Sequence, residues 1–293
     1  MDKSGVPCSP LVRRLHVACR RHTLVWLITG ITVFVTAALR VPMASQPTGT
    51  YQHLQVISYS LFGEDPRYID GALANVRLYK KVFAGWTMRV YHDSTVPTPV
   101  LSELSLHGAQ LFDMSRSHLS RMTWRFLPAS DPSVKRMCSR DIDSRLSSRE
   151  KAAVDAWISS GKLFHVMRDH PSHSAFAMSG GMWCSSQGAF VNMSLELEKL
   201  QQSDEYLHDM EFLNRVIWPV AQKSVLQHDS FSCRQFGAVP FPTVRVGMEH
   251  VGSVYMNGMM RAEDVDVLRR AINAGEEKKC LPTLRSRFRT QFK

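Results

Sequence analysis

The sequence predicts an α/β domain in which helices flank a mostly parallel sheet, preceded by one transmembrane helix. Three observations support this prediction. Strand-like apolar runs alternate with helical patterns from residue 54 onward, polar clusters follow several of these runs, and a 17-residue stretch near the N-terminus has no charge. Alternation indicates parallel pairing, because parallel strands need a crossover connection that is commonly a helix. With 293 residues, 44% of them apolar, the chain can build a substantial core.

The first half of the domain is predicted to contain three strands separated by helices. Residues 54–62 are a nearly continuous apolar run, which is typical of a buried strand. Residues 66–83 have apolar side chains at helical spacing, so we expect a helix with one buried face. Shorter strands are predicted over 88–91 and 109–112, with one or two helical turns over 100–106 between them.

The second half places polar clusters directly after further strands. A strand over 134–138 leads into an acidic segment, and a strand over 163–167 leads into a second polar cluster. Between them, Ser147 and Glu150 have capping-box spacing and Gly161 is a helix stop, which predicts a helix. Helices are also predicted around 209–213 and over 262–274, and the domain is predicted to span residues 54–280.

The net charge of +10 is concentrated at the two ends of the chain. Residues 1–40 carry six positive charges and one negative charge, and residues 285–293 carry four positive charges and no negative one, which leaves +1 for residues 41–284. A nearly neutral body lacks the basic surface of a nucleic-acid-binding protein, so we expect no nucleic-acid partner. The basic segment 281–293 is interpreted as a tail that is disordered or meets acidic glycans or lipids.

The uncharged stretch 23–39 predicts a signal anchor that binds the membrane. As a helix it would be roughly 25 Å long, near the lower limit for a bilayer crossing. Four arginines precede it and one follows it, so the positive-inside rule favours a cytosolic tail over 1–22, a short stem over 40–53 and a lumenal domain. The alternative is a cleaved signal peptide, whose apolar region is usually only about 7 to 15 residues.

Cysteine usage agrees with a lumenal domain. Four cysteines follow the predicted anchor, and an even set can form two disulfides in any of three connectivities. Free buried thiols are the alternative. A sequon at Asn192 predicts N-glycosylation if this side of the membrane is lumenal. These cysteines are Cys138, Cys184, Cys233 and Cys280.

Asp141 and Asp143 form the pattern with the clearest chemistry. They follow a predicted strand, and ligands of open α/β sheets bind at the carboxyl ends of strands. Two carboxylates separated by one residue can share a hard divalent cation, which would hold the phosphates of a nucleotide diphosphate and neutralise its charge as it leaves. Solvated loop carboxylates are the alternative interpretation.

The second polar cluster and the residues beyond it add candidates on the same edge. The adjacent Gly180 and Gly181 allow a backbone to approach a ligand, and Trp183 offers an apolar plate for a sugar, or is a core tryptophan. His228 follows a short apolar stretch, where its imidazole would complete a metal shell or be structural.

In combination these segments resemble the GT-A class of nucleotide-sugar glycosyltransferases and, more narrowly, a little-characterised glycosyltransferase-like family. The resemblance covers about residues 54–255, and this chain departs from the pattern where Cys184 replaces a common glycine and Met210 a usual glutamine. The motifs are WRFLP at 124–128, RDIDSRL at 140–146, RE at 149–150, RDHP at 168–171, GGMW at 180–183, HDS at 228–230 and PFPT at 240–243.

The resemblance implies a GT-A-like, Rossmann-type sheet and a role for each candidate residue. Mn²⁺ or Mg²⁺ would be held by Asp141, Asp143 and His228, with a nucleotide sugar as co-substrate. The acceptor loop would be Gly180, Gly181, Met182 and Trp183. The donor side would contain Arg140, Asp141, Asp143, Arg145 and Arg168, although Arg140 and Arg145 also fit surface ion pairs.

The implied function is that of a single-pass type II glycosyltransferase of the Golgi or ER membrane, with a glycan, glycolipid or glycoprotein acceptor. An inverting enzyme needs a carboxylate base, for which Asp169, Asp209 and Glu211 are candidates, whereas a retaining enzyme can use the leaving diphosphate. The resemblance favours retention. The alternatives are a noncatalytic lumenal carbohydrate-binding or scaffold protein, and a metal-dependent phosphodiesterase, which would need more histidine ligands.

Overall fold

The computed structural model describes residues 53–200 and 207–280. The predicted cytosolic tail, the anchor over 23–39, nearly all of the stem and the basic tail over 281–293 lie outside the described residues. Within the described ranges, no helix has both the length and the apolar character needed to cross a bilayer.

The predicted alternation of strands and helices is confirmed for the described residues. The main strands are β1 (Leu54–Leu61), β2 (Thr87–His92), β3 (Gln110–Asp113), β4 (Val134–Ser139), β5 (Phe164–Arg168), β6 (Trp183–Ser186) and β7 (Val225–Asp229), with a hairpin of β8 (Tyr255–Met256) and β9 (Met259–Met260). The α-helices are α1 (Pro66–Val82), α2 (Thr98–Leu106), α3 (Ser148–Ser160), α4 (Met193–Lys199), α5 (His208–Phe212), α6 (Trp218–Ala221), α7 (Cys233–Phe236) and α8 (Ala262–Asn273). A π-helical turn, Leu213–Ile217, joins α5 to α6.

The seven main strands form one mostly parallel sheet in the order β3-β2-β1-β4-β6-β5-β7. All neighbouring pairs are parallel except those of β6, which is antiparallel to β4 and to β5. The sequence did not predict β6, because it is only four residues long and follows a glycine pair that indicates a loop. This reversal places the start of β6 at the same edge as the carboxyl ends of β4 and β5.

The core has a cluster on each face of the sheet. Successive side chains of a strand point to opposite faces, and in β1 Ile57 belongs to the cluster with α1, α2 and α3, whereas Val56 belongs to the other. That second cluster includes Phe126, from a 3₁₀ helix over Arg121–Ser130, and Phe212 of α5. Helices therefore cover both faces, as the sequence predicts.

Two disulfides join the four cysteines of the domain. Cys138 pairs with Cys184, which links β4 to β6, and Cys233 pairs with Cys280. The structure thus selects one of the three connectivities that the sequence leaves open.

Candidate functional site

Five of the predicted site residues, Asp141, Asp143, Gly180, Gly181 and Asp209, meet at one edge of the sheet. The acidic loop (residues 140–145) follows the carboxyl end of β4, and the glycine loop (residues 179–182) precedes the antiparallel β6. Asp209 of α5 reaches the same place, because its carboxylate and Asp141 contact one arginine. The prediction that the acidic loop and the glycine loop share an edge is confirmed.

Helix α1 fixes the acidic loop from one side. Nδ2 of Asn75 donates hydrogen bonds to the backbone oxygens of Ile142 (3.1 Å) and Ser144 (2.8 Å), and the side-chain oxygen of Asn75 accepts from the backbone N–H of Leu146. Gly71 allows the close approach, since a Cβ there would be 2.9 Å from the carbonyl carbon of Ile142. The loop conformation is therefore set by a helix that lies about 70 residues earlier in the chain.

The hairpin segment fixes the loop from the other side. The backbone N–H of Tyr255 donates to the backbone oxygen of Asp143 at 3.0 Å, and Ser144 forms an isolated β-bridge with Val254. Arg145 lies over the ring of Tyr255 at 4.9 Å and donates to the backbone oxygen of Ser144 at 3.0 Å. Arg145 thus braces the loop.

The two aspartates of the acidic loop differ in environment. The Asp141 side chain is 42% exposed, so part of its carboxylate faces solvent, whereas the Asp143 side chain is 11% exposed and lies 3.5 Å from Nε of Arg67. Burial, followed by the nearby charge of Asp141, raises the pKa of Asp143 to about 6. A nearby cation would stabilise the two neighbouring carboxylates in their charged form. This position therefore favours binding of a metal ion or a guanidinium.

Arg125 connects the acidic loop with α5. Its Nη1 donates to Oδ1 of Asp141 at 2.8 Å and its Nη2 donates to Oδ2 of Asp209 at 2.7 Å. Burial raises the pKa of the Asp209 carboxyl, and the charge of Arg125 opposes that shift. Arg125 belongs to the WRFLP motif, but its contact with Asp209 is not predictable from the sequence, because 84 residues separate the two.

The glycine loop packs against this ion-paired group. A Cβ at Gly180 would overlap with both Nη2 of Arg125 and Oδ2 of Asp209, and a Cβ at Gly181 would overlap with the carboxylate of Asp141. Both glycines are therefore explained by close approach to charged side chains of the site itself.

The residues fit a divalent cation only in part. Asp141 and Asp143 supply oxygen ligands, and Mg²⁺ is commonly bound by one or two carboxylates together with substrate phosphates. Within residues 53–200 and 207–280 no three His, Cys, Asp or Glu side chains gather as a metal-binding group. A cation here would consequently depend on the donor diphosphate for further ligands.

His228 is not brought to the two aspartates as a third ligand. It is buried, its Nδ1 is hydrogen-bonded to Nε2 of His165 at 2.8 Å, and its ring lies 5.5 Å from that of Phe241. Burial, with a smaller contribution from Arg149, lowers the pKa of His228 to about 4. This placement agrees with the alternative interpretation of His228, in which the histidine has a structural role.

Asp169 is placed as an internal anion, not as an accessible base. It is fully buried and receives a two-point ion pair from Arg149 (2.8 and 2.9 Å) and a further bond from Arg245 (2.7 Å). The Ser230 hydroxyl and the backbone N–H of Val251 also donate to it. Because both carboxylate oxygens are engaged, the sequence-based candidacy of Asp169 as a base is corrected to a structural role.

Two arginines of the predicted donor side are also internal. Arg140 is 1% exposed, is ion-paired with Glu150 and donates to the backbone oxygen of Trp183. Arg168 is 2% exposed and its Nη1 lies 3.3 Å from Oδ2 of Asp229. Both guanidinium groups are therefore engaged in internal contacts, so the expectation that Arg140 and Arg168 lie on the donor side is corrected.

The remaining candidates have clear positions. Trp183 is fully buried, with its ring 5.5 Å from that of Phe126, and Met182 is 2% exposed, so both belong to the core and not to a sugar-binding surface. Glu211 is half-exposed and ion-paired with Arg215. Asn192 is exposed just before α4, which is a position open to a glycan.

Comparison with known proteins gives structural alignments of low TM-score and very low sequence identity. The sequence matches no protein-family model, and no curated protein matches it. A 4-diphosphocytidyl-2C-methyl-D-erythritol synthase from Anaerococcus prevotii aligns with a TM-score of 0.41 and 8% identity, over 76% of this chain and 97% of that chain. A cytidylyltransferase from Leptospira borgpetersenii aligns with a TM-score of 0.36 and 13% identity, over 79% and 98%. A glucosyl-3-phosphoglycerate synthase from M. tuberculosis aligns with a TM-score of 0.36 and 11% identity, over 80% and 82%.

Proposed function

We propose that this protein is a type II membrane glycosyltransferase that transfers a sugar from a nucleotide-diphosphate sugar to a glycan or glycoconjugate. One observation carries the proposal: Asp141, Asp143, Asp209 and the glycine pair meet at the carboxyl edge of a mostly parallel sheet. That edge is where open α/β sheets bind their ligands. The motifs that resemble GT-A glycosyltransferases supply the same residues.

The acidic loop is the donor-binding element. Asp141 presents a partly exposed carboxylate and Asp143 a buried one on a loop that is braced from both sides. With the donor bound, Asp141 and Asp143 would hold Mn²⁺ or Mg²⁺. Such a cation neutralises the charge that develops on the departing diphosphate.

The glycine loop and Asp209 form the acceptor side. The missing side chains at Gly180 and Gly181 let the glycine loop lie directly against Arg125, Asp209 and Asp141, which places its backbone beside the acidic loop. Asp209 Oδ1 accepts the backbone N–H of Met210 at 2.9 Å and Oδ2 accepts from Arg125, so the carboxylate is held in one orientation next to the glycine loop.

These contacts favour a retaining mechanism. Asp209 is 3% exposed and both of its oxygens already accept hydrogen bonds, and Asp169 is fully buried with both oxygens engaged, so neither carboxylate is placed to take a proton from an acceptor hydroxyl. The acceptor hydroxyl would therefore give its proton to an oxygen of the leaving diphosphate as its own oxygen bonds to the sugar carbon.

The proposal places the domain in the lumen of the Golgi or ER, anchored by residues 23–39. Two disulfides and an exposed sequon asparagine support an oxidising compartment. Protease treatment of sealed microsomes tests this orientation, because a lumenal domain is digested only after detergent is added.

Nucleotide-sugar turnover by the full-length chain tests the activity. We expect hydrolysis or transfer with at least one donor in a panel of nucleotide sugars with Mn²⁺. The buried position of His228 favours the second candidate, a noncatalytic carbohydrate-binding or scaffold protein, because a metal ligand of the expected set is missing from the site. Absence of both turnover and binding for every donor would support that alternative.

A further inference from the structure

We propose that Arg125 is a positioning residue that joins the donor side and the acceptor side of the site into one unit. The inference rests on the proposed function for the names of the two sides. The contact itself does not depend on that function, because the structure shows the Arg125 guanidinium bound to both Asp141 of the acidic loop and Asp209 of α5.

The backbone of Arg125 is fixed independently of these two contacts. Its N–H donates to the hydroxyl of Ser60 in β1 at 3.1 Å, and its 3₁₀ helix packs Trp124 and Phe126 into the interior. The backbone of Arg125 is therefore anchored without help from Asp141 or Asp209. Its guanidinium can hold both carboxylates in place.

The shape of the contact requires an arginine. Two different terminal nitrogens bind two different carboxylates, and the planar guanidinium presents them in a fixed geometry. A lysine has one nitrogen on a flexible stem, so it can replace only part of this bridge.

The glycine loop packs closely against the bridge. Gly180 lies against both Arg125 Nη2 and Asp209 Oδ2, with Cζ of Arg125 only 3.3 Å from the position that a Cβ would take. The Arg125 and Asp209 side chains are 10% and 3% exposed, so the pair is also shielded from solvent. A displacement of Asp209 would consequently be transmitted to Asp141 through Arg125, and the reverse.

The first test is a double-mutant cycle on kcat/KM of the full-length protein, with Arg125→Met, Asp209→Asn and the double variant. Misplacement by about 1 Å can cost about 100-fold in rate, so we expect each single variant to lose about that factor. Because both changes break the same bridge, the double variant should lose no more than about three-fold beyond the worse single variant. Multiplication of the two losses would overturn the proposal.

Two further variants separate positioning from general stability. Arg125→Lys should recover at least about ten-fold of the activity lost in Arg125→Met, since one of the two contacts can form. Arg89→Met is the matched control: Arg89 is also buried and ion-paired, to Asp131 at 2.7 Å, near the opposite edge of the sheet. It should lower thermal stability without changing kcat, and a similar kcat loss in both Arg→Met variants would overturn the assignment.

Amide hydrogen exchange tests the bridge even if no donor is turned over. In Arg125→Met, residues 207–213 and 179–182 should lose protection, whereas Arg89→Met should leave these segments unchanged. Unchanged protection in Arg125→Met would overturn the bridge. Lost protection in a chain that has no transferase activity would instead reject the proposed function and keep the bridge.

Discussion

Gly181 and Asp141 are so close that a Cβ at position 181 would lie 2.6 Å from the backbone nitrogen of Asp141 and overlap with its carboxylate. The clash involves backbone and an ion-paired side chain, so neither partner can move away easily.

We therefore expect Gly181→Ala to lower the rate of sugar transfer by at least about ten-fold through displacement of Asp141. The control is Gly188→Ala, where nothing lies within 4 Å but φ is +77°. That variant should lose stability only, by about 1 kcal/mol. Equal transfer rates for both variants and the wild type would contradict the close-contact account.

Asn75 provides a second prediction, because its one side chain makes three hydrogen bonds to the backbone of the acidic loop. Asn75→Ala should lower the free energy of unfolding by about 2–3 kcal/mol, since buried loop groups lose their partners. Asn75→Asp should be worse than alanine, because a carboxylate would face the carbonyl oxygens of Ile142 and Ser144. Urea unfolding measures both values, and the reverse order would count against the hydrogen-bond pattern.

Asp169 provides a prediction that distinguishes a structural anion from a catalytic base. Removing its charge leaves the buried Arg149 and Arg245 without their common partner, so Asp169→Asn should cost about 3–5 kcal/mol of stability. Below the melting temperature of the variant, its kcat should stay within about ten-fold of wild type. A loss of kcat by several orders of magnitude with unchanged melting would restore Asp169 as a base.

Three histidines next to Asp169 predict acid sensitivity. The rings of His170 and His250 are stacked at 4.7 Å and His173 lies 5.7 Å from His170. Burial, and then the neighbouring His170, lowers the pKa of His250 to about 4, from 6.5 for an ordinary histidine. Arg245 adds to the lowering, and Asp169 and the backbone oxygen of Met248 oppose it.

A lowered histidine pKa means that the unfolded chain binds more protons than the native state between pH 6.5 and 4. Stability from His250 is therefore complete above pH 6.5 and is lost as the pH falls through this window, by about 3 kcal/mol. In His250→Gln the free energy of unfolding should depend less steeply on pH over the same range. Parallel pH profiles for the two proteins would show that His250 titrates normally.

The sequence predicts local structure better than it predicts the environment of polar side chains. The caps of α3 are a success, because Ser147 Oγ accepts the N–H of Glu150 at 3.2 Å and Gly161 has φ +68°, as short-range patterns require. The Glu150 side chain, however, is ion-paired with Arg140 inside the domain. Charged residues are normally exposed, so sequence alone gives no reason to bury this pair.

At the site, too, the sequence predicts the position of a segment but not the side chains that contact it. The acidic pair is placed correctly because it follows a recognisable strand, whereas Arg67, Asn75 and Arg125 reach it from other elements. Their partners lie 16 to 84 residues away along the chain. Only the packing of α1 and the 3₁₀ helix against the sheet brings them together. His228 is the converse case, since its pattern fits a ligand but the pairing of β5 with β7 directs it to His165.

The most direct test of the central claim is the rate of nucleotide-sugar turnover as a function of Mn²⁺ concentration, for the wild type and Asp143→Asn. Asparagine is nearly isosteric with aspartate but lacks the charge that a hard cation requires. We predict turnover of at least one donor by the wild type, loss of that turnover by at least about 100-fold in Asp143→Asn, and an unchanged or higher melting temperature. Normal turnover and normal Mn²⁺ dependence in Asp143→Asn would contradict the assignment of the acidic loop as the donor site.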